Sequence, residues 1–125
     1  MKTLLLSFMA AFLLLGCARS FPTPEQITNA NFGQPPNKTK YEERILGHFS
    51  QTLFDSESAR YKFGTPYKAA WPRSGGEWDF GYGVDVLVNA KNRYGAYVGF
   101  QKYYFFFGKE DVYVDEYPTI IRRLE

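Results

Sequence analysis

The chain carries one cysteine, Cys17, and one histidine, His48, in 125 residues. A lone cysteine excludes an intramolecular disulfide and any zinc site of the C-x-x-C type. A lone histidine excludes a two-histidine metal site, and as a general base it would need a nucleophile. Ser50, Ser56, Ser58 and Ser74 offer none, since none lies in a G-x-S-x-G setting. A dominant charge is missing as well: 15 Lys and Arg stand against 13 Asp and Glu, with Lys2 among the first residues. Such a balance gives no footprint for nucleic acid and no strong reason to expect binding to acidic lipid. No apolar run reaches the roughly 20 residues that a membrane-spanning helix needs.

A shorter apolar block is present. Met1-Lys2-Thr3 is a charged start, and Leu4 to Leu15 follows with the length of a secretory h-region. It ends in Leu14-Leu15-Gly16-Cys17, which resembles the bacterial lipobox. The spacing has a chemical reason. The Cys17 thiol is the nucleophile that takes a diacylglyceryl group, and Gly16 leaves room for cleavage beside the modified side chain. Two or three acyl chains then exceed what stable anchoring requires. Two alternatives stay open: ordinary cleavage after Ala18-Arg19-Ser20, and retention of the block as an uncleaved anchor. The lipobox reading also accounts for the solitary thiol. It predicts a lipid-anchored envelope protein with palmitate-like acylation. Ala18, rather than an acidic residue, follows the cysteine, which points to the outer membrane facing the periplasm.

Residues 1–16 are therefore expected to be a lipoprotein signal peptide, 17–37 the lipidated cysteine and a flexible tether, and 38–125 one small domain. Pro22, Pro24, Pro35 and Pro36, set among Asn, Gln, Thr and Gly, motivate the tether. Thr39 and Glu42 fit a capping box. Tyr41, Ile45, Phe49 and Leu53 then recur every four residues, predicting one amphipathic helix over about residues 40 to 54. Ala59 to Phe63 reads as a short strand. Residues 67 to 76, with Pro72 and Ser74-Gly75-Gly76, read as a loop.

Three more strands are expected. From Trp78 to Asn89 apolar and polar residues alternate, although Gly81 and Gly83 interrupt the polar set. Ala96 to Phe107 is the next, apolar on both faces from Tyr103 onward and so central. Gly108 to Asp111 turns, and Val112 to Tyr117 is the last, with the tail Arg122-Arg123-Leu124-Glu125 beyond it. The expected fold class is α+β: one N-terminal amphipathic helix packed on a mostly antiparallel sheet of three to four strands.

The catalytic inventory is thin. Asp79 and Asp85 share a face but lie about 20 Å apart along a strand at roughly 3.3 Å per residue, too far for a glycosidase pair. Glu110 and Asp111 belong to a turn, where acidic residues serve local hydrogen bonds. Gly81-Tyr82-Gly83 lies inside a strand pattern with no helix after it, so it is not a phosphate loop. The sequence thus predicts no enzyme, cofactor or metal.

The most distinctive segment is Val86 to Phe100. Val86, Val88, Asn89, Ala90, Lys91, Asn92, Tyr94, Gly95, Tyr97 and Gly99 form a V-x-V-N-A-K-N-x-[FY]-G-x-Y-x-G element, and Asp55, Ser58, Ala59 and Tyr61 form D-x-x-S-A-x-Y. In these elements the chain resembles a recurring group of small bacterial and phage-associated lipoproteins. Ser56 stands where the group usually has proline. The resemblance spans roughly residues 41 to 107 and implies a fold rather than an activity. The hairpin admits two roles. In one, Asn89, Asn92 and Gly95 supply turn geometry with positive φ, Tyr94 and Tyr97 pack across strands, and Lys91 is solvated. In the other, Lys91, Asn92, Tyr94 and Tyr97 form a candidate binding loop held by a rigid scaffold.

Two partners are expected: the membrane, through lipid on Cys17, and an envelope protein reached through a sheet edge or that loop. The alternatives are a glycan or peptidoglycan module using Trp71 or Trp78, and a phage-encoded lipoprotein for superinfection exclusion. Replacing Cys17→Ser is expected to move the protein from the membrane fraction to the soluble fraction on fractionation. A variant that stays with the membranes would remove the lipid anchor from consideration.

Overall fold

The computed structural model describes residues 20–115 and 120–125; Cys17 and the signal peptide expected over residues 1–16 lie outside them. Two helices precede six strands: α1 (Pro24–Thr28), α2 (Lys38–Thr52), β1 (Arg60–Phe63), β2 (Tyr67–Pro72), β3 (Trp78–Asn89), β4 (Gln101–Phe107), β5 (Val112–Asp115) and β6 (Arg122–Arg123). All pair antiparallel in the order β5-β4-β3-β2-β6, and β1 pairs with β3 beyond the end of β2. The helix on an antiparallel sheet stands as expected. The sheet is larger than the three to four strands anticipated, and the described residues hold two α-helices rather than one.

α2 packs by the stripe that its sequence displays. Tyr41, Ile45 and Phe49 are buried on Val84, Val86, Val88 and Phe105, with Leu53, Tyr61 and Phe63 at the margin. Its start differs from expectation. Asn37 is the cap, accepting from the Lys40 amide at 2.8 Å. An asparagine two residues upstream of Thr39 caps equally well, so helix begins earlier.

A capping box does exist, within the stretch expected to be a tether. The Thr23 hydroxyl accepts from the Gln26 amide at 3.2 Å, and the Gln26 side chain accepts from the Thr23 amide at 2.8 Å, with Pro24 in the first turn. Beyond α1, Phe32 packs edge-on against Phe80 at 5.5 Å and Tyr82 at 6.4 Å between ring centroids. The Tyr82 hydroxyl donates to the Gly33 carbonyl. Arg122 Nε donates to the Ser20 carbonyl at 3.2 Å. Residues 20–36 are thus laid against the sheet rather than extended away from it. The aromatic residues interspersed among the prolines are the physical reason.

β2 corrects the loop expected over residues 67 to 76. Pro72 is compatible with strand here because it is the last residue, opposite Trp78, where a missing donor matters little. The chain then turns within five residues, closed by the Arg73 amide on the Glu77 carbonyl at 2.8 Å. β6, expected as tail, is held by pairing of Ala69 with Arg123 and Ala70 with Arg122. β4 starts at Gln101 rather than Ala96, since residues 90–100 form a longer hairpin loop. Its central position between β3 and β5 agrees with the reading of Tyr103 to Phe107 as apolar on both faces: Phe105 and Phe106 point to opposite sides and both are buried.

No helix among the described residues covers the face away from α2, yet Phe106 is wholly buried there with Tyr67, Ala69 and Ile121. The sheet is roofed by its own rings. Trp71 stacks on Tyr113 at 4.9 Å, and both flank Phe106. Tyr67 lies across Gly83, its cross-strand partner. A Cβ on Gly83 would come 2.5 Å from that ring, so only glycine lets the ring lie flat. Gly83→Ala is expected to cost about 1–3 kcal/mol by overpacking in urea denaturation. Gly47→Ala, where a Cβ meets nothing within 4 Å in exposed helix, is expected to stabilise by about 0.5–1 kcal/mol. Equal effects of the two would contradict the ring-over-glycine packing.

Candidate functional site

The loop singled out in the sequence is built firmly. Lys91 bridges to Tyr97 across the hairpin. The Asn92 side-chain oxygen accepts from the Tyr94 amide at 2.9 Å and the Ala96 amide at 3.1 Å. Asn89 accepts from the Gly99 amide at 3.0 Å. The asparagines therefore supply acceptors. Positive φ in this hairpin comes from Gly95, at 79°, and Gly99, at 97°.

Tyr97 ties this hairpin to the other sequence element. Its hydroxyl donates to the Ser58 carbonyl at 2.8 Å, a contact 39 residues apart. Ser58 in turn donates its hydroxyl to Asp55 at 2.6 Å and its amide to the other Asp55 oxygen at 3.2 Å. The Ser58 hydroxyl holds the Asp55 carboxyl below the ordinary carboxylate range, the Ser58 amide adds to this, and Lys91 contributes a smaller attraction. Tyr61 donates to the Ser56 carbonyl at 3.1 Å, closing the same turn. Thus D-x-x-S-A-x-Y makes a turn whose carbonyl receives the tyrosine of the hairpin. The juxtaposition depends on the pairing of Arg60 with Asn89, which the sequence does not announce.

Of the four candidate loop residues, Asn92 and Tyr97 are thus tied into the scaffold. Lys91 is half-buried, its ammonium 5.4 Å from the Tyr97 ring centroid. Tyr94 projects, 95% exposed, with Val98 and Phe100 also exposed nearby in the chain.

The remaining groups do not converge on a reaction centre. The His48 ring lies edge-on to Phe49 at 5.2 Å and Phe105 at 5.5 Å. Asp79 and Asp85 are engaged separately. Asp79 faces Arg73 at 3.9 Å, while Asp85 accepts from the Tyr67 hydroxyl at 2.8 Å and meets Lys102 at 3.8 Å. Trp71 presents one ring face to Tyr113, which leaves less of it for a sugar.

A feature not foreseen is a groove between α2 and the β4–β5 hairpin. A cavity of about 630 Å³ is walled by Phe32, Pro36, Lys40, Arg44, Phe107 and Val112. A second, about 500 Å³, continues past His48, Gln51 and Val114. They share Glu43, Arg44, Glu110, Asp111 and Val112, so they form one trough. It runs beside β5, which ends the sheet. The sequence hid it because α2 leaves the edge strand only partly covered, a matter of placement rather than composition.

Tyr67 connects the ring layer to charge. Burial, then its hydrogen bond to Asp85, pushes the phenol well above its ordinary range. In the unfolded chain it ionises near pH 10, while the folded chain holds the proton. Its contribution is therefore complete below about pH 10 and declines as pH rises further. Tyr67→Phe is expected to cost about 1 kcal/mol at neutral pH and to flatten the loss of stability above pH 10 in urea titrations. An unchanged alkaline slope would show that Tyr67 is not the group responsible. No protein-family model, curated protein or solved structure matches this chain, so its own surfaces carry the functional argument.

Proposed function

We propose that this is a lipid-anchored, non-enzymatic envelope protein, held through Cys17 in the outer membrane facing the periplasm, that receives an extended segment of a partner protein along β5. The lipoprotein resemblance and the Leu14-Leu15-Gly16-Cys17 element support the address. The observation that carries the contact is the trough beside an open sheet edge. β5 pairs with β4 alone, and its outer edge carries no strand among the described residues. Such an edge presents backbone donors and acceptors to an incoming strand. Strand addition uses those groups for affinity and neighbouring pockets for selectivity. Here Val112 and Val114 face the trough, with Phe107 and His48 along its walls.

The absence of enzymatic chemistry in this reading rests on how the reactive groups are occupied. His48 is packed between rings, and the two strand carboxylates serve different partners. Between the two surfaces anticipated for a protein partner, the sheet edge has the better shape. The Lys91 to Tyr97 loop is convex at Tyr94 and has no cleft beside it among the described cavities.

A photo-crosslinking amino acid at Gln51, on the trough wall, is expected to give one discrete adduct with an envelope protein in intact cells. The same group at Glu57, exposed before β1, is expected to give none. Uncrosslinked protein alone at Gln51, or the same adduct from both positions, would overturn the edge reading.

A further inference from the structure

The open face of the sheet is charged unevenly. At the end near the 90–100 hairpin, four cations sit over aromatic rings. Arg60 lies 4.3 Å and Lys91 5.4 Å from the Tyr97 centroid, Lys62 lies 4.4 Å from Phe100, and Lys102 lies 5.7 Å from Tyr104. Arg123 extends the row over Tyr67 at 4.1 Å. Register produces this alignment: Lys62 and Lys102 both pair with Leu87, and Arg60 pairs with Asn89, so their side chains rise on one side.

Little in the described structure neutralises this half of the face. Asp85 is engaged by Tyr67 and Lys102. Arg60, Lys62 and Lys91 make no ion pair among the described residues. One carboxylate, Asp55, lies at this end, where it accepts from Ser58 and attracts Lys91; at the other end stand Asp79 on Arg73, and Glu110 and Asp111 in the β4–β5 turn. Beside the cations stand exposed Tyr94, Val98 and Phe100.

We propose that this face lies on a lipid surface bearing anionic headgroups, with Arg60, Lys62 and Lys91 at the phosphates and Tyr94, Val98 and Phe100 in the interfacial layer. Three observations favour a bilayer over an acidic protein or a soluble polyanion. The cations spread over a sheet face, whereas the grooves lie on the helix side. Exposed apolar and aromatic side chains flank them, the combination that interfacial binding uses. The third rests on the proposed lipidation of Cys17. Three residue steps separate Cys17 from Ser20, whose carbonyl is held by Arg122 beside β2. At roughly 3.6 Å per residue the domain stays within about 11 Å of its lipid, so some part of it must meet headgroups.

The test uses the full chain carrying Cys17→Ser, so that no acyl group contributes. Sedimentation compares vesicles of phosphatidylcholine alone with vesicles containing about one-third phosphatidylglycerol. Each exposed cation near an anionic surface strengthens binding about fivefold. With Arg60 and Lys62 exposed and Lys91 half-buried, the Arg60→Gln, Lys62→Gln, Lys91→Gln triple variant is therefore expected to bind the anionic vesicles at least about 25-fold more weakly. On neutral vesicles, where only the common apolar segments act, the two chains are expected to match. Equal binding of both to anionic vesicles would overturn the proposal. If the triple variant loses its near-ultraviolet dichroism, the unsubstituted face decides by salt. The excess on anionic vesicles is expected to vanish by about 1 M NaCl, and persistence would overturn the proposal. Binding to poly-L-glutamate in solution without binding to phosphatidylglycerol vesicles would overturn it in favour of an acidic protein. None of these failures touches the Gln51 crosslink, and the Cys17 fractionation stays separate when the membranes are washed in about 1 M NaCl, which releases electrostatic binding but not an acyl anchor.

Discussion

A sheet with two faces must be kept dry by a chain that makes only one long helix among its described residues. That constraint governs most of the architecture. α2 covers one side with Tyr41, Ile45 and Phe49. The other side is closed from within the sheet, where Phe106 is hidden by Tyr67, Trp71, Tyr113 and Ile121. Rings can do this only where the strand beneath them is low. Gly83 gives Tyr67 that room, and the Tyr67 hydroxyl then finds Asp85 rather than remaining unpaired. Each large ring buries enough area to replace part of a missing layer.

The same arrangement separates the surfaces. Because α2 stops short of β5, the helix side keeps a trough beside an open strand. Because no helix among the described residues crosses the other side, cations from β1, β4 and the hairpin can align there over rings. A small domain thus offers two unlike faces, one concave and bounded by backbone, the other broad and basic.

Much of this was legible in the residues. The four-residue spacing of Tyr41, Ile45 and Phe49 identified the buried stripe of α2, and the alternation from Trp78 identified β3 over its full length. Apolar residues on both sides of Tyr103 to Phe107 marked a central strand. Other features were masked by competing local signals. Thr39 resembled a cap, but Asn37 lay close enough to act first. Pro72 and the following glycines concealed β2, because proline at the end of a strand reads like proline in a loop. The prolines of residues 22–36 outweighed Phe32, whose partners Phe80 and Tyr82 come from nearly fifty residues further on. The hairpin was visible as a turn, but its attachment to Ser58 needed the β1–β3 register. Net charge, being a sum, could not reveal that Arg60, Lys62, Lys91 and Lys102 had been gathered at one end of a face.

The bond between Arg122 and the Ser20 carbonyl joins residues 102 positions apart. β6, the strand that carries Arg122, pairs with β2 rather than with its neighbour in sequence. Closing such a contact incurs loop entropy before any local gain, and topologies of this kind fold slowly for that reason. The β2–β6 edge and the segment around Ser20 are therefore completed by one long-range closure, and no local turn can hold either in place without it.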